Sequence, residues 1–422
     1  MKVTLINTSD AGGGAPAACM RLLKALEEQG IDASLLVQQK KTTDPHVESV
    51  EKNALDRKRS KFDFLYERLP FIAFQERDKS VRFAFSTANA GVSIKNEKLV
   101  QEADILHLHW TNSGFLSIRD LKELLSLGKP IVWTLHDMWT FTGGCHYSGE
   151  CDHFKRECGD CFFLRNPGPN DISHTGWLRK ADMYSATKNV NFVACSKWLA
   201  GVAEESSLLK GYPINAIPNP IDTAIFSPKN KAEIRAKRNI SPDKKIILFG
   251  AANINDRRKG ISYLVNALDI LKKDYPVEGQ MEMVIFGKNK GFDTNALPFP
   301  VHELNIITSQ EEIAEVYSLA DVFITPSVED NLPNTVMESL SCGTPVVAFN
   351  TGGIPEMVDH MQNGYLANFK DAGDMANGLY EMLYVPNPNE LSRNARNKVL
   401  HDFNNKTVAG QYIKLYQSLL KK

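Results

Sequence analysis

The feature that most constrains this chain is an alternation of short apolar runs with stretches of helical periodicity, repeated on both sides of one proline-rich turn. Residues 3–6, 33–37, 105–108, 131–135 and 191–194 are short, apolar and rich in branched side chains, as in strands buried on both faces. Helical patterns lie between them. Ala18, Leu22 and Leu26 share one face, Cys19 and Leu23 extend it, and Gly30 stands where a glycine stop is expected. Residues 118–127 form another helical stretch, and a third begins at Lys197. After the turn the rhythm returns, with strands expected at 246–249, 283–286, 322–325 and 346–348. The fold class that follows is α/β, with two doubly wound, Rossmann-like parallel sheets. Ligands are then expected at the carboxyl ends of the strands, and the default active site is a cleft that the two domains face.

The turn Pro218-Asn-Pro-Ile-Asp222 marks the boundary. It divides the chain into an acceptor-side domain over 1–222 and a nucleotide-sugar-binding domain over 223–403, the two roles resting on the family likeness given below. Ile413, Tyr416 and Leu420 recur at helical spacing, so 404–422 is expected as a terminal helix packed back on the body. Residues 40–100 break the rhythm. They are polar and basic in places, and read as an insertion with some helix. Its basic run at 57–61 reads as a solvated loop or as a weak peripheral membrane contact.

At 422 residues the chain suits two or three domains. A hydrophobic fraction of 43% with 23% charged residues fits a soluble globular enzyme. A formal net charge of -1 supplies no field for a dedicated nucleic-acid binder. No apolar run approaches the ~20 residues that span a bilayer. The opening MKVTLINTSD lacks a basic region before an apolar core, so it reads as a first strand and not as an export signal. A cytoplasmic location is expected.

The most informative stretch runs from Thr325 to Leu340. A strand ends at Thr325, a loop carries Glu329 and Asp330, and a helix starts near Pro333. Asn331, Leu332, Pro333, Asn334 and Thr335 would present backbone groups at that helix start, a place that binds phosphate. Glu338 lies one turn inside, where a carboxylate can accept bonds from a sugar diol. The bland alternative is that Asp330 and Asn331 merely cap the helix. A second segment, Phe249 to Gly260, joins a strand and turn to the basic run Arg257, Arg258, Lys259. In a third, Gly352 and Gly353 precede another helix and allow close backbone approach.

With these three segments in order, the second half resembles the family 4 retaining glycosyltransferases, proteins of GT-B fold and here of bacterial surface-polysaccharide type; the first half resembles them more loosely. The family carries two acids separated by seven residues, matched by Asp330 and Glu338. Its first acid is usually Glu, so Asp330 departs from the pattern and Glu329 beside it is an alternative. The resemblance implies that the first acid faces the donor sugar hydroxyls. It implies that Glu338 holds the ribose, and that Asn331 to Thr335, with Gly353, supply backbone contacts. Lys259 matches a lysine that neutralises the leaving diphosphate. The usual arginine position, near Asn253, is not basic, and Arg258 is the favoured replacement over Arg257. Gly12, Gly13 and Gly14 lie in a loop that the family places under the diphosphate. His136 matches a histidine on the donor sugar and is preferred over His107 and His109. The catalytic set is then His136, Lys259, Asp330 and Glu338. The donor implied is a UDP- or GDP-sugar, and the acceptor a glycan or lipid-linked glycan at the inner face of the membrane. Attack comes from the leaving-group side, without a catalytic metal. Two other readings remain: a sugar-nucleotide epimerase, and a nucleotide-sugar-binding subunit without turnover.

Cys145, Cys151, Cys158 and Cys161 crowd a loop at 143–165. Their spacing predicts a structural zinc site that clamps the loop, with His146 and His153 as substitute ligands, since four thiolates leave no open position for substrate; the alternative is four reduced cysteines or disulfides. Cys19, Cys195 and Cys342 read as inert core residues.

Overall fold

The computed structural model of the chain describes residues 1–74, 79–185 and 187–421. They form two compact units, one of residues 1–219 and 408–422, the other of residues 220–407.

The first unit is built on seven parallel strands: β1 (Lys2–Ser9), β2 (Asp32–Gln39), β3 (Val47–Ser49), β4 (Ile105–Leu108), β5 (Ile131–Leu135), β6 (Val190–Ala194) and β7 (Ile214–Ala216). Their order is β3-β2-β1-β4-β5-β6-β7, all neighbours parallel, so the sheet reverses its winding between β1 and β4. Every side chain of β4 and β5 is buried, because helices cover both faces. On one face the helix Gly14–Glu28 packs Leu22, Leu23 and Leu26 against β1 and β2. Val408, Tyr412 and Tyr416 of the terminal helix Asn405–Leu420 enter that same cluster. The last helix of the chain therefore belongs to the core of the first unit. On the other face the helix Ile118–Leu125 opens with a reciprocal capping box between Ser117 and Asp120 and buries Leu121, Leu124 and Leu125.

The insertion contributes the edge strand β3 and a long helix, Ala54–Phe74. Its basic run at 57–61 is thus helical, which corrects the solvated-loop reading. Residues 75–78 of the insertion lie outside the described residues. Among the described residues, no helix is long and apolar enough to cross a membrane.

The second unit has six parallel strands: β8 (Lys245–Asn253), β9 (Met281–Lys288), β10 (Val301–Glu303), β11 (Val322–Thr325), β12 (Val346–Phe349) and β13 (Gly364–Ala367). Their order is β10-β9-β8-β11-β12-β13, so the reversal falls between β8 and β11. Loops after β8 and β11 leave for opposite sides there, and this opens the crevice in which such sheets bind ligands.

Candidate active site

In the second unit the three loops that follow β8, β11 and β12 meet at that reversal. Gly260 and Gly352 decide how closely. Gly260 sits at φ +67, and a Cβ there would stand 1.9 Å from the carbonyl oxygen of Pro326. Gly352 sits at φ +58, and its Cβ would stand 1.9 Å from the carbonyl oxygen of Asp330. Only glycine allows both the left-handed backbone and the contact. Two backbone bonds hold the loops together: Val328 N–H donates to Arg258 at 2.8 Å and Gly353 N–H to Asp330 at 3.3 Å.

This packing places Lys259, at the end of a 3-10 turn (Arg257–Lys259), beside Asp330. Lys259 Nζ donates to Asp330 Oδ2 at 2.6 Å, with both side chains mostly buried. Near a protein surface such a pair attracts roughly fourfold more strongly than in bulk water, so the contact couples the two loops. Arg258 is 40% exposed at its side chain and pairs with Asp256 at 2.7 Å, while Asp256 also caps the Arg258 N–H at 3.0 Å. The helix Asn334–Ser341 follows the Asp330 loop. Pro333 is its N-cap, one place earlier than the first-turn position, and no side chain caps that end. Asn331, Leu332 and Pro333 are buried, whereas Asn334 and Thr335 are half-buried. Glu329 is half-buried next to the nearly buried Asp330. Glu338, only 9% exposed, accepts a hydrogen bond from the Tyr317 hydroxyl at 3.1 Å. Tyr317 is a residue that the sequence did not single out. It lies on the helix Gln310–Leu319, where its fully buried ring looks like any other core aromatic.

In the first unit, Gly12, Gly13 and Gly14 are exposed at the end of β1. Gly13 is the N-cap of the following helix and offers no side chain, so the helix end is again uncapped. Asp10 does not cap it: its carboxylate accepts from Lys41 N–H, Thr42 N–H and the Thr42 hydroxyl at 2.7, 2.8 and 2.6 Å.

The histidines form a chain at the ends of β4 and β5. His107 is fully buried and bonds the Tyr416 hydroxyl and Thr134, both at 2.7 Å. Its role is to fix the terminal helix. Burial pushes its pKa down to about 3, with the nearby His136 adding to this. His109 Nδ1 lies 3.0 Å from His136 Nε2, and His136 Nδ1 lies 3.7 Å from the Cys195 sulfur. His136 is half-buried, and burial lowers its pKa to about 4 although Asp137 opposes the shift. It is therefore neutral at physiological pH, with its two ring nitrogens facing His109 and Cys195. Asp137 receives His146 at 2.7 Å and Trp110 Nε1 at 3.0 Å. Burial pushes this carboxyl up, but His146, the Trp139 N–H and Trp110 Nε1 together hold its pKa below the usual range. Three buried polar atoms in the loop after β4 find no hydrogen-bond partner among the described residues: His109 Nε2, Thr111 Oγ1 and Asn112 Nδ2. Such atoms are rare in a finished interior. Nothing in the sequence distinguished Thr111 or Asn112.

The zinc expectation finds no support. Among the described residues, no group of three or more His, Cys, Asp or Glu side chains is placed to hold a metal ion. Cys158 joins the main apolar cluster of the first unit and accepts Gly143 N–H at 3.1 Å. Cys161 joins a separate cluster with Phe71, Phe85 and Leu164, against which Cys145 packs. Cys151 is half-buried, and all four thiols are free. Burial pushes Cys158 up to about 11 and Cys161 up to about 12. The glycines and charges flanking Cys145 and Cys161 hid this packing, because two of the apolar partners, Phe71 and Phe85, come from the distant insertion.

Two doubly wound sheets, with a cation, carboxylates and an uncapped helix start gathered at the reversal of the second, define a protein of the GT-B class. A solved structure of HepE from Anabaena, in complex with UDP and glucose, has the same fold. Its TM-score is 0.62 at 15% identity, covering 99% of this chain and 100% of that one. The model of the Glycosyltransferase Family 4 matches residues 12–225, and that of the Glycosyl transferases group 1 matches residues 243–384. The chain belongs to glycosyltransferase family 4. It is 27% identical over 302 residues to a D-inositol 3-phosphate glycosyltransferase of Paenarthrobacter aurescens, an alignment spanning 68% of this chain and 66% of that protein. It is 25% identical over 264 residues to the putative colanic acid biosynthesis glycosyl transferase WcaC of Escherichia coli K12, spanning 60% and 62%. The matches thus span just under two thirds of these relatives' lengths.

Proposed function

We propose that this protein transfers a hexose or related sugar from a UDP- or GDP-sugar to a glycan or lipid-linked glycan in polysaccharide biosynthesis, retaining the anomeric configuration and using no divalent metal. The observation that carries the reading is the Lys259–Asp330 pair at the reversal of the second sheet, one residue before the Asn331–Thr335 approach to an uncapped helix. Loss of a nucleoside diphosphate leaves negative charge on the phosphates. A preformed cation and the N–H groups of a helix start stabilise that charge as it develops.

In this reading the diphosphate draws Lys259 from Asp330, or shares it. Asp330, or Glu329 beside it, then accepts from hydroxyls of the donor sugar. Glu338, held by Tyr317, takes the ribose, and the loop with Gly353 closes over the other side. Arg258 must leave Asp256 to serve the diphosphate. Gly12 to Gly14 lie under the diphosphate and neutral His136 bonds a sugar hydroxyl, as the family likeness implies. The acceptor hydroxyl attacks from the side the diphosphate leaves, and its proton passes to the phosphate. The family likeness and the name of the Escherichia coli relative support a polysaccharide setting at the cytoplasmic face of the membrane. The bound UDP of HepE supports a uridine donor.

Titration calorimetry with UDP-glucose, GDP-mannose and their nucleotides tests the donor site. Glu338→Ala is expected to abolish nucleotide binding, and normal binding in that variant would count against the site. NMR of the released sugar then separates the readings. Retained configuration supports a retaining transferase, inversion at C2 supports an epimerase, and binding without release supports a subunit lacking turnover.

A further inference from the structure

The histidines at the ends of β4 and β5 differ in how their rings are bonded. His107 has both nitrogens engaged, with the Tyr416 hydroxyl and with Thr134, which is the pattern of a satisfied core imidazole. In His109 one nitrogen is engaged and the other is not. Its Nδ1 lies 3.0 Å from His136 Nε2, while its buried Nε2 has no hydrogen-bond partner among the described residues. The residue is only 3% exposed, and its backbone is held on both sides. His109 N–H donates to the Ile6 carbonyl at 2.9 Å, and Trp133 Nε1 donates to the His109 carbonyl at 3.2 Å. A ring fixed so firmly with one polar atom left over calls for a reason other than packing.

The direction of the hydrogen bonds supplies that reason. Burial, with His107 and His136 beside it, holds His109 well below the ordinary histidine range, and His107 and His136 are neutral as well. A neutral imidazole carries one N–H and one bare nitrogen. The protons can be placed from the far end of the chain. Cys195 donates its S–H to Asn219 Oδ1 at 3.1 Å. The sulfur then offers only lone pairs to His136 Nδ1, 3.7 Å away, so the His136 proton sits on Nδ1. His136 Nε2 is therefore bare. A second bare nitrogen 3.0 Å from it would repel, so His109 turns its Nδ1–H toward it. The leftover His109 Nε2 is the bare one, an acceptor for which the described residues supply no donor.

The two ring contacts of His136 are unequal. The bond from His109 has the length of a full hydrogen bond, whereas the contact with Cys195 is long and ends on a weak acceptor. An incoming hydroxyl oxygen can displace the sulfur and leave the His109 bond intact.

We propose that His109 is a positioning residue that locks His136 in its Nδ1–H form, so that His136 meets the donor sugar as a hydrogen-bond donor and not as an acceptor. The proposal rests on the reading of His136 as a donor-sugar contact. It adds the polarity of that contact and the residue that sets it.

The test begins with long-range proton–nitrogen NMR of the ligand-free full chain, labelled with nitrogen-15 histidine at neutral pH and assigned through His136→Ala. The wild type is expected to show His136 with Nδ1 protonated and Nε2 bare. His109→Leu is expected to give a mixture of both forms. Its affinity for UDP-glucose or GDP-mannose, whichever the wild type binds, is expected to fall about tenfold, the loss of one hydrogen bond, with affinity for the free nucleotide unchanged. His109→Asn, whose side-chain amide can replace the Nδ1–H, is expected to restore most of both. A wild-type His136 protonated on Nε2 overturns the proposal, and that spectrum requires no variant to fold. So does a His109→Leu variant with native circular dichroism that keeps the Nδ1–H form or the wild-type preference for nucleotide sugar over nucleotide. Wild-type sugar preference in His136→Ala overturns the donor-sugar reading, and with it the purpose of the lock; the ligand-free spectrum tells that failure from a failure of the lock itself.

Discussion

Replacing Gly352 by alanine puts a methyl group where the structure has the backbone of Asp330. The new Cβ would lie 1.9 Å from the Asp330 carbonyl oxygen and 3.0 Å from its carbon, while real Cβ atoms essentially never come below 3.0 Å. Neither obstacle is a side chain that can swing aside, so the β11 and β12 loops must part by about 1 Å or more. The backbone adds to this, since an alanine held at φ +58 costs about 1–2 kcal/mol. Overpacking of this kind typically costs another 1–3 kcal/mol. The local strain is therefore about 2–5 kcal/mol before relaxation. Relaxation moves Asp330 and with it the partner of Lys259. A displacement of that size at a reacting centre lowers rates on the order of a hundredfold. The expected result is a transfer rate reduced to that extent and a melting transition lowered by several degrees, at roughly 2–4 °C per kcal/mol for a unit of this size. A sugar-transfer assay and scanning calorimetry on the purified variant supply the two readouts, with a donor-binding titration alongside. A variant that melts within about one degree of wild type and binds donor normally would refute the claim that these loops form one packed site.

Other expectations follow from single features. Gly410 lies inside the terminal helix with nothing within 4 Å of an added Cβ, so Gly410→Ala is expected to stabilise the first unit by about 0.5–1 kcal/mol, read as a higher urea midpoint. His107 and His136 have folded pKa values of about 3 and about 4 against an ordinary 6.5. The unfolded chain binds their protons first, so the stability they confer is complete above about pH 6.5 and is lost as the pH falls toward 4 and 3. Urea midpoints between pH 7 and 4.5 should fall, and fall less steeply in His136→Asn; parallel slopes would contradict a buried neutral imidazole. Lys180 is 1% exposed, donates to the carbonyls of Trp139 and Thr142, and lies 3.7 Å from the Trp139 ring centre. Burial lowers its pKa to about 7 from 10.5. Between those values the unfolded chain holds the proton that the folded chain lacks. The stability difference between wild type and Lys180→Met should therefore shift in favour of wild type by up to about 1.4 kcal/mol per pH unit from pH 7 to 9. A difference that stays flat over that range would show that Lys180 is charged in the fold.

The strands were the most legible part of the chain. Residues 105–108, 131–135 and 322–325 coincide with β4, β5 and β11, because a strand covered on both faces must be a continuous apolar run and helices cannot hide that signal. The short edge strands β3, β7 and β10 went unnoticed, since three half-exposed residues carry no pattern of their own. The residues of the donor segment could be named because acids, a basic run and glycines stand close together along the chain. Their partners could not. Tyr317 reaches Glu338 from another helix, and Asp256 claims Arg258 through a turn.

By itself, then, the sequence determined the two-sheet α/β class and the places where glycine and charge gather, because these are encoded by local periodicity and composition. Only the tertiary structure decided that Lys259 meets Asp330 across 71 residues, that Cys158 and Cys161 are buried among apolar side chains, and that an apolar stripe beside a basic run faces outward. Each of these depends on which distant segments become neighbours, and that information resides in the packing of the whole chain and not in any one stretch of it.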